Sequence, residues 1–439
     1  MRITAMVIFV SALLSTANCN YIRAAVSADR SLTSEEKSSI EKQKKIIDEM
    51  MNLYAEHALD RPVDFTACMR EMLAMNRSKK CRDKFTHYNT PEIAKQQKDD
   101  YTGHFGGVGM ELTEEDGVVI ITTPMAGTPS ERAGLKAKDI ILKVGDKEPE
   151  DVAEAVSLIR GKVGTKVTVT IFRPETKEKL DFTLTREVIN LQAVKWRVSS
   201  TDSKVGIVEI RKFDETVPVK FAEAVIDLAK KNATNIIIDV RNNPGGLVDS
   251  AVSILSLFAQ EKDTILTIRY RHRQNVISFP NNLGLFARIN YIKAVIMLDQ
   301  ALDIDSLKSI NTVLLTNGGS ASASEILTGT MKDWGYPIVG EKTYGKGVGQ
   351  EVFTLSDNST FMLTTFEFLV GNNKVIIRDK GVLPTIEVKI SESQDKKDKK
   401  EKMSDKQKEQ ADVQLLKAIE VLQACHQTGT VPMHKCTRN

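Results

Sequence analysis

Hydrophobic and polar positions change period several times along this chain, and each change marks a different element. An apolar run, Ala5 to about Leu14, opens it behind Arg2 and is followed by small residues. From Ser31 to about Lys98 the chain is charged, with Ile40, Ile47, Met51, Tyr54 and Leu59 recurring at helical spacing. This predicts a helical N-terminal region whose stripe needs an apolar partner, and Pro91 after Thr90 suits a further helix start. Beyond Gly106 the period shortens to that of strands. Val118 to Thr122, Lys166 to Arg173 and Lys179 to Leu184 read as strands, and Val152 to Ile159 as a helix. From Val205 the pattern is strand, turn, helix, repeated. Val205 to Ile210 and Asn235 to Val240 read as buried strands, with Ala222 to Lys230 and Ser250 to Ala259 as helices. Thr312 to Leu315 then leads to a helix from about Ala321 to Trp334. That alternation predicts a parallel sheet whose strand ends carry function. Glu392 to Glu409 mixes seven Lys with six acidic residues and reads as a solvated linker. Ala411, Leu415, Leu416, Ile419 and Leu422 then share one helical face.

The fold class is therefore α/β and multidomain, with the boundaries set at 1–28, 29–100, 101–188, 189–390 and 391–439. These are an export signal, a helical N-terminal region, a small β-rich domain, an α/β core with parallel strands, and a charged linker with a C-terminal helix. A length of 439 residues suits several domains. Lys and Arg number 61 against 58 Asp and Glu, a formal charge of +3. This argues against a nucleic-acid partner. Hydrophobic residues at 41% and charged residues at 27% exclude global disorder.

The opening run has the layout of a secretory signal, with Ser15-Thr16-Ala17 and Val26-Ser27-Ala28 as cleavage triplets. It is too short to span a bilayer of about 30 Å. An uncleaved anchor and lipid attachment at Cys19 are the alternatives. The expectation is an exported protein, in a bacterial periplasm or cell envelope, with no membrane span once the signal is removed. In an oxidising compartment Cys68, Cys81, Cys425 and Cys436 form two sequence-local pairs, for which Cys68–Cys81 and Cys425–Cys436 are the short-loop bridges. Four cysteines allow three connectivities, and free thiols are the other reading.

Three motifs carry chemistry. Asn317 to Glu325 reads NGGSASASE, small residues at a helix start behind a strand. A serine there meets unpaired backbone N–H groups and the positive end of the helix dipole, as a developing oxyanion requires. Ser320 or Ser322 as a plain N-cap is the simpler reading. Arg241 to Gly246 reads RNNPGG, where two glycines bare backbone N–H groups at a strand end; an ordinary turn is the simpler reading. Thr343 to Gln350 reads TYGKGVGQ, with Lys346 between glycines and Gln350 four residues on, on one face of a helix or a strand. A lysine is a base only when neutral, and burial favours that form. A surface lysine in a glycine loop is the simpler reading. No metal motif such as H-E-x-x-H occurs, and no cofactor is expected.

Residues Pro129 to Gly145 carry the pattern A-G-L-x-x-x-D-x-I, and the segment around them resembles a PDZ domain. The resemblance implies that Gly107, Val108, Gly109 and Met110 form the loop that holds a peptide's terminal carboxylate. With that unit, RNNPGG, SASASE and YGKGxxQ in this order, the chain from about Gly106 to Val388 resembles the C-terminal processing peptidases, or tail-specific proteases. The resemblance implies a Ser-Lys serine protease that takes protein or peptide substrates with exposed C-termini. It implies Ser322 as nucleophile, Lys346 as base and Gln350 as the residue positioning the lysine. The N–H groups of Ala323 and of Gly246 (or Gly245) become the oxyanion hole, and Ser320 and Ser324 are structural.

The chain departs from the family pattern in four places. The 24-residue interval from Ser322 to Lys346 is one shorter than usual, Arg269 to Ser309 is less family-like, Phe368 to Asn373 replaces the usual Y-Y-T-P-S-G, and Cys81 to Glu92 only faintly resembles L-D-P-H-S-x-Y. Two other classes compete with this reading. A noncatalytic PDZ scaffold requires a lost nucleophile or base, and both are present. A Ser-His-Asp hydrolase requires a G-x-S-x-G elbow and a later histidine, yet only His426 and His434 follow. The N- and C-terminal helices are the candidates for pairing two copies.

Overall fold

The computed structural model describes residues 33–60, 85–101, 104–115, 117–125, 127–136, 138–149, 152–190, 193–279, 283–301, 310–389 and 404–427. The signal, Cys68, Cys81 and Cys436 lie outside the described residues, and Cys425 falls in the last helix with its side chain outside them. The chain forms two compact units. One spans 95–192, and the other joins the residues up to Ala94 with those from Ala193 onward. No helix of the described residues is long and apolar enough to cross a membrane.

The larger unit begins with helix α1 (Ser34–His57) and the short strand β1 (His87–Asn89); helix α2 (Pro91–Tyr101) follows. The buried row of α1 is Ile46, Met50 and Tyr54, continued by Ala58 just past the helix end, at a four-residue interval, and Met51 is exposed. Of the expected stripe Tyr54 is buried, Ile40, Ile47 and Leu59 are half-buried, and Met51 is exposed, its expected place taken by Met50. The helix meets its neighbours over Leu355, Phe361 and Leu363, whose positions set which face turns inward.

In the smaller unit, β2 (His104–Gly107) pairs with β8 (Glu187–Asn190). A five-stranded antiparallel sheet contains β3 (Met110–Glu115), β4 (Val118–Pro124), β5 (Ile140–Val144), β6 (Lys166–Arg173) and β7 (Glu178–Thr185), in that order. Helices α3 (Pro129–Arg132) and α4 (Val152–Ile159) complete it. Val119, Ile121, Ile141, Val144, Val169, Ile171 and Leu184 form its core with Leu135, Ala155 and Ile159. Asp139 of the A-G-L-x-x-x-D-x-I pattern is buried and accepts two hydrogen bonds from Arg173, from Nε at 2.8 Å and NH2 at 2.7 Å. It also accepts from the backbone of Lys136 at 2.8 Å, which closes the turn into β5.

The sheet of the larger unit consists of β9 (Val194–Val198), β10 (Val205–Ile210), β11 (Asn235–Asp239), β14 (Asn311–Thr316), β15 (Ile338–Gly340) and β19 (Ile386–Glu387). All are parallel neighbours except β9, an antiparallel edge. Side chains alternate across it. Val208, Ile210, Ile236, Ile238 and Leu314 meet helices α5 (Val217–Lys230), α6 (Val248–Phe258) and α8 (Ala323–Asp333). Val205, Ile207, Ile237, Val313 and Leu315 meet Leu415, Ala418, Ile419 and Leu422 of α10 (Val413–Gln427). The apolar face of the C-terminal helix is therefore covered by the chain's own sheet.

A second, antiparallel sheet is built on the long strand β17 (Thr360–Val370). It pairs with β1, with β12 (Thr264–Tyr270), with β16 (Val348–Thr354) and with β18 (Val375–Ile376), and β13 (Gln274–Ser278) extends it from β12. The segment Arg269 to Ser309 thus holds sheet strands and helix α7 (Leu285–Ala301).

The charged run before α10 is not all solvated. Ser404 caps helix α9 (Asp405–Ala411), and Glu409 within it is 1% exposed. Its carboxylate accepts six hydrogen bonds, from Arg197, the Ser199 hydroxyl, Ser200 N at 3.0 Å and Oγ at 2.9 Å, and Thr201 N at 3.3 Å and Oγ1 at 2.8 Å. Burial works to raise its pKa, but these donors outweigh burial and hold it at about 2, against an ordinary 4.5. Its folded value is depressed, so its stabilisation is complete above the ordinary value and is lost as pH falls through about 2. Glu409→Gln should cost about 3 kcal/mol near neutral pH, with the deficit shrinking in strong acid, read as urea midpoints at a series of pH values.

Candidate active site

The end of β14 runs into Asn317-Gly318-Gly319, and α8 begins at Ala323 with Ser322 as its N-cap. Ser322 has φ 56°, a left-handed conformation that costs a non-glycine residue roughly 1–3 kcal/mol and persists only where its surroundings enforce it. Its neighbours supply that enforcement. Ser320 Oγ donates to the Val240 carbonyl at 2.8 Å and Ser324 Oγ to the Asn243 carbonyl at 2.9 Å. Ala321 N donates to the same Asn243 carbonyl at 3.0 Å. The flanking hydroxyls are thus committed, Ser320 to the residue before the RNNPGG turn and Ser324 to the turn itself, and Ser322 stands between them at the helix N-terminus.

The RNNPGG turn follows β11. Asn243 is buried, and its side chain donates to the Ile210 carbonyl at 2.8 Å and accepts from Gly245 N at 2.8 Å. Gly245 has φ 101°, and a Cβ there would stand 2.7 Å from Ser322 Cβ and 2.9 Å from Ala323 N. The glycine therefore lets this turn touch the serine turn. Gly245→Ala combines backbone strain with that clash and should destabilise by about 1–3 kcal/mol, read as a lowered melting temperature. Of the two candidate oxyanion glycines, Gly245 already gives its N–H to Asn243, and Gly246 bridges Phe213.

Arg241 opens the same turn. It pairs with Asp239, through NH2 at 2.6 Å, and with Asp412 at 2.8 Å, and it donates to Gln414 at 3.1 Å. Burial works against its charge, but the two carboxylates outweigh burial and raise its pKa. The turn is thereby tied to the start of α10. No sequence signal joined these residues, which lie 171 positions apart.

Lys346 lies in the loop before β16. Gly347 is required because a Cβ there would fall 2.0 Å from the Arg378 backbone nitrogen. Tyr344 N donates to the Ser320 carbonyl at 3.0 Å, joining this loop to the serine turn. Glu325 provides a second connection. Its fully buried carboxylate accepts from Ser322 N at 2.9 Å, Thr343 Oγ1 at 2.5 Å, Gly345 N at 2.6 Å and Lys346 N at 2.8 Å. Burial raises its pKa, and these four donors oppose that rise. One side chain thus fastens the backbone of Ser322 to the backbone of Lys346. The reading of the sequence assigned Glu325 no role, although the Ser322-to-Glu325 interval is that of a capping box and could have found it.

The Lys346 ammonium sits over the Phe85 ring, 4.7 Å from its centroid. Gln350 lies on β16, beyond a register shift at Gly349/Gln350, and its amide nitrogen donates to Thr364 at 3.2 Å. The same-face argument for Lys346 and Gln350 is corrected here, because Lys346 precedes the strand and the bulge breaks the alternation. In the smaller unit Val108 is fully buried. The Gly109 carbonyl accepts from Thr128 Oγ1 at 2.9 Å and from the Ser130 hydroxyl, so the 107–110 loop is anchored from the start of α3.

Residues 204–388 match the model of Peptidase family S41, and residues 120–173 match that of a PDZ domain. The two matches fall on the two units described above, the parallel α/β core that carries Ser322 and the smaller β-rich unit. The chain is 33% identical over 370 residues to the "Carboxy-terminal processing protease CtpB" of Bacillus subtilis, covering 83% of this chain and 71% of that protein. It is 32% identical over 313 residues to a "Probable CtpA-like serine protease" of Staphylococcus aureus, covering 71% of this chain and 58% of the relative's length. The solved photosystem II D1 C-terminal processing protease is 23% identical, with a TM-score of 0.47, over 82% of this chain and 94% of that one. The chain belongs to the S41 peptidases, among the carboxy-terminal processing proteases.

Proposed function

We propose that the chain is an exported serine endopeptidase that binds substrate C-termini through residues 101–188 and cleaves peptide bonds in the core of 189–390 by a Ser-Lys mechanism. The observation that carries this reading is Ser322. It is held at φ 56° on the N-cap of α8, against the Gly245 turn, and is fastened through Glu325 to the Lys346 loop. Neutral Lys346 takes the proton from Ser322 Oγ, and the oxygen attacks the peptide carbonyl carbon. The carbonyl oxygen takes up the displaced electron pair and is held by the N–H groups of Ala323 and Gly246, since Gly245 is committed to Asn243. Collapse breaks the C–N bond, and the leaving amine takes its proton from Lys346. Water, deprotonated by Lys346, then attacks the acyl ester; the bond between the carbonyl carbon and Ser322 Oγ breaks, the acid product leaves, and Lys346 returns the proton to Ser322 Oγ.

Gln350 is assigned a positioning role through the strand pairing of β16 with β17. The loop 107–110 is assigned the substrate carboxylate. The apolar run Ala5–Leu14 supports export, and the exported chain has a formal charge of +1 once Arg2 and Arg23 leave with the signal. Export also supports the bridges Cys68–Cys81 and Cys425–Cys436. The experiment is to incubate the full chain with peptides that share one sequence and differ only in a free or an amidated C-terminus, and to read fragments by mass. Cleavage should favour the free terminus. Equal cleavage of both would overturn the PDZ role, and cleavage by Ser322→Ala would overturn the nucleophile.

A further inference from the structure

Phe85 lies in the Cys81–Glu92 segment that only faintly resembles L-D-P-H-S-x-Y and has no assigned role there, yet its ring lies under the proposed base. Its position is built in. The next residue, Thr86, is buried, and its hydroxyl accepts from Thr364 N at 3.0 Å; Thr364 is also the residue that takes the Gln350 amide. His87 to Asn89 then pair with Met362 to Thr360, and His87 Nδ1 contacts the Phe85 carbonyl at 2.7 Å. The segment is thus pinned to β17 immediately C-terminal to the contact with the lysine loop. We propose that Phe85 is a positioning residue for Lys346, its ring seating the ammonium and holding the lysine in its charged form until the amine leaves the ring. This rests on the reading of Lys346 as the base.

The physical reason is the ring's quadrupole, which attracts a cation on its face and offers a neutral amine far less. Other charged and titratable groups stand around the loop. Glu325 accepts the Lys346 N–H, and the backbones of Arg378 and Asp379 pack on Gly347 and Gly345. Asp60 pairs with Arg378, Glu367 lies across from Val348, and His87 and Tyr88 follow Phe85 on its own segment. Lys342 and Tyr344 precede Lys346 in its own loop, and Lys380 follows Asp379 in the other. Replacing Phe85 with a residue of similar bulk and no ring leaves all of these groups in place.

The test uses the full chain with Phe85→Leu, Phe85→Met and Phe85→Trp. The acid limb of kcat/KM reports the base in the free enzyme. It should move to lower pH by about half a unit or more in the Leu and Met variants, and should hold or rise in Trp. In a Ser322→Ala background, pulse acetylation read by mass titrates the Lys346 amine without any activity, and should show the same ordering. An unchanged titration in both Leu and Met overturns the Phe85 assignment. Retained turnover in Lys346→Ala overturns the underlying base assignment, and the acetylation result is independent of it.

Discussion

Lys346→Ala should lower peptide turnover by about 10⁴-fold or more and leave the melting temperature within a few degrees of the parent. The side chain reaches over Phe85, whereas the bonds that hold the loop in place come from backbone atoms: Lys346 N to Glu325 and Phe368 N to the Gly347 carbonyl. Alanine keeps those bonds and removes the amine. Ser322→Ala should match that loss, because nucleophile and base act as a unit. Ser320→Ala should behave differently. Its hydroxyl serves the Val240 carbonyl and accepts from Asn317 N at 3.1 Å, so its removal should cost about 1 kcal/mol of stability and leave most of the turnover. Steady-state kinetics and thermal melts of the three variants check this, and equal loss in Ser320→Ala would count against the assignment.

Glu325→Gln should reduce kcat by about 10²-fold, although Glu325 is a positioning residue that meets no substrate. Each carboxylate oxygen accepts two hydrogen bonds, one oxygen from Thr343 and Gly345, the other from Ser322 and Lys346. Glutamine has a single oxygen, so one pair of donors faces an NH2 group. A buried unsatisfied donor costs about 1–3 kcal/mol, and relaxation of either pair moves the Ser322 turn or the Lys346 loop. A displacement of about 1 Å at reacting atoms is enough for a 10²-fold loss. KM should change much less than kcat. A variant with parental kcat, or with the loss confined to KM, would show that the fastening is incidental.

The parts of the fold that were legible are those whose signal is local. Strands β10 and β11 are short apolar runs between turn residues, and α4 and β6 have the bounds that their periodicity predicts. Helix α5 begins five residues earlier than the reading from Ala222, at Val217, where Pro218 in its first turn was the available signal. The antiparallel sheet was not legible because its pairs are distant. Asn89 faces Thr360, and Leu266 faces Val370, and nothing local in either strand names its partner. The same holds for α1, where helical spacing is plain but the buried row is selected by Phe361 and Leu363.

In the site, Ser322, Lys346 and the glycine turn were visible as motifs, and the family pattern set their roles. What holds them together was not visible. Glu325 was within the motif but without a partner, and Arg241 meets Asp412 only in the folded chain. Phe85 reaches Lys346 because β1 joins β17. Glu409 shows the reverse error. It has the composition of a solvated linker, yet it docks α9 on the turn after β9 through Ser199, Ser200 and Thr201.

The most direct measurement is the position of a covalent adduct. The full chain is treated with a fluorophosphonate, which reacts with activated serines, and is then digested and mapped by mass. The adduct should lie on Ser322, should be absent in Ser322→Ala, and should form far more slowly in Lys346→Ala. An adduct on Ser320 or Ser324, or equal labelling at Ser322 without the lysine, would contradict the account.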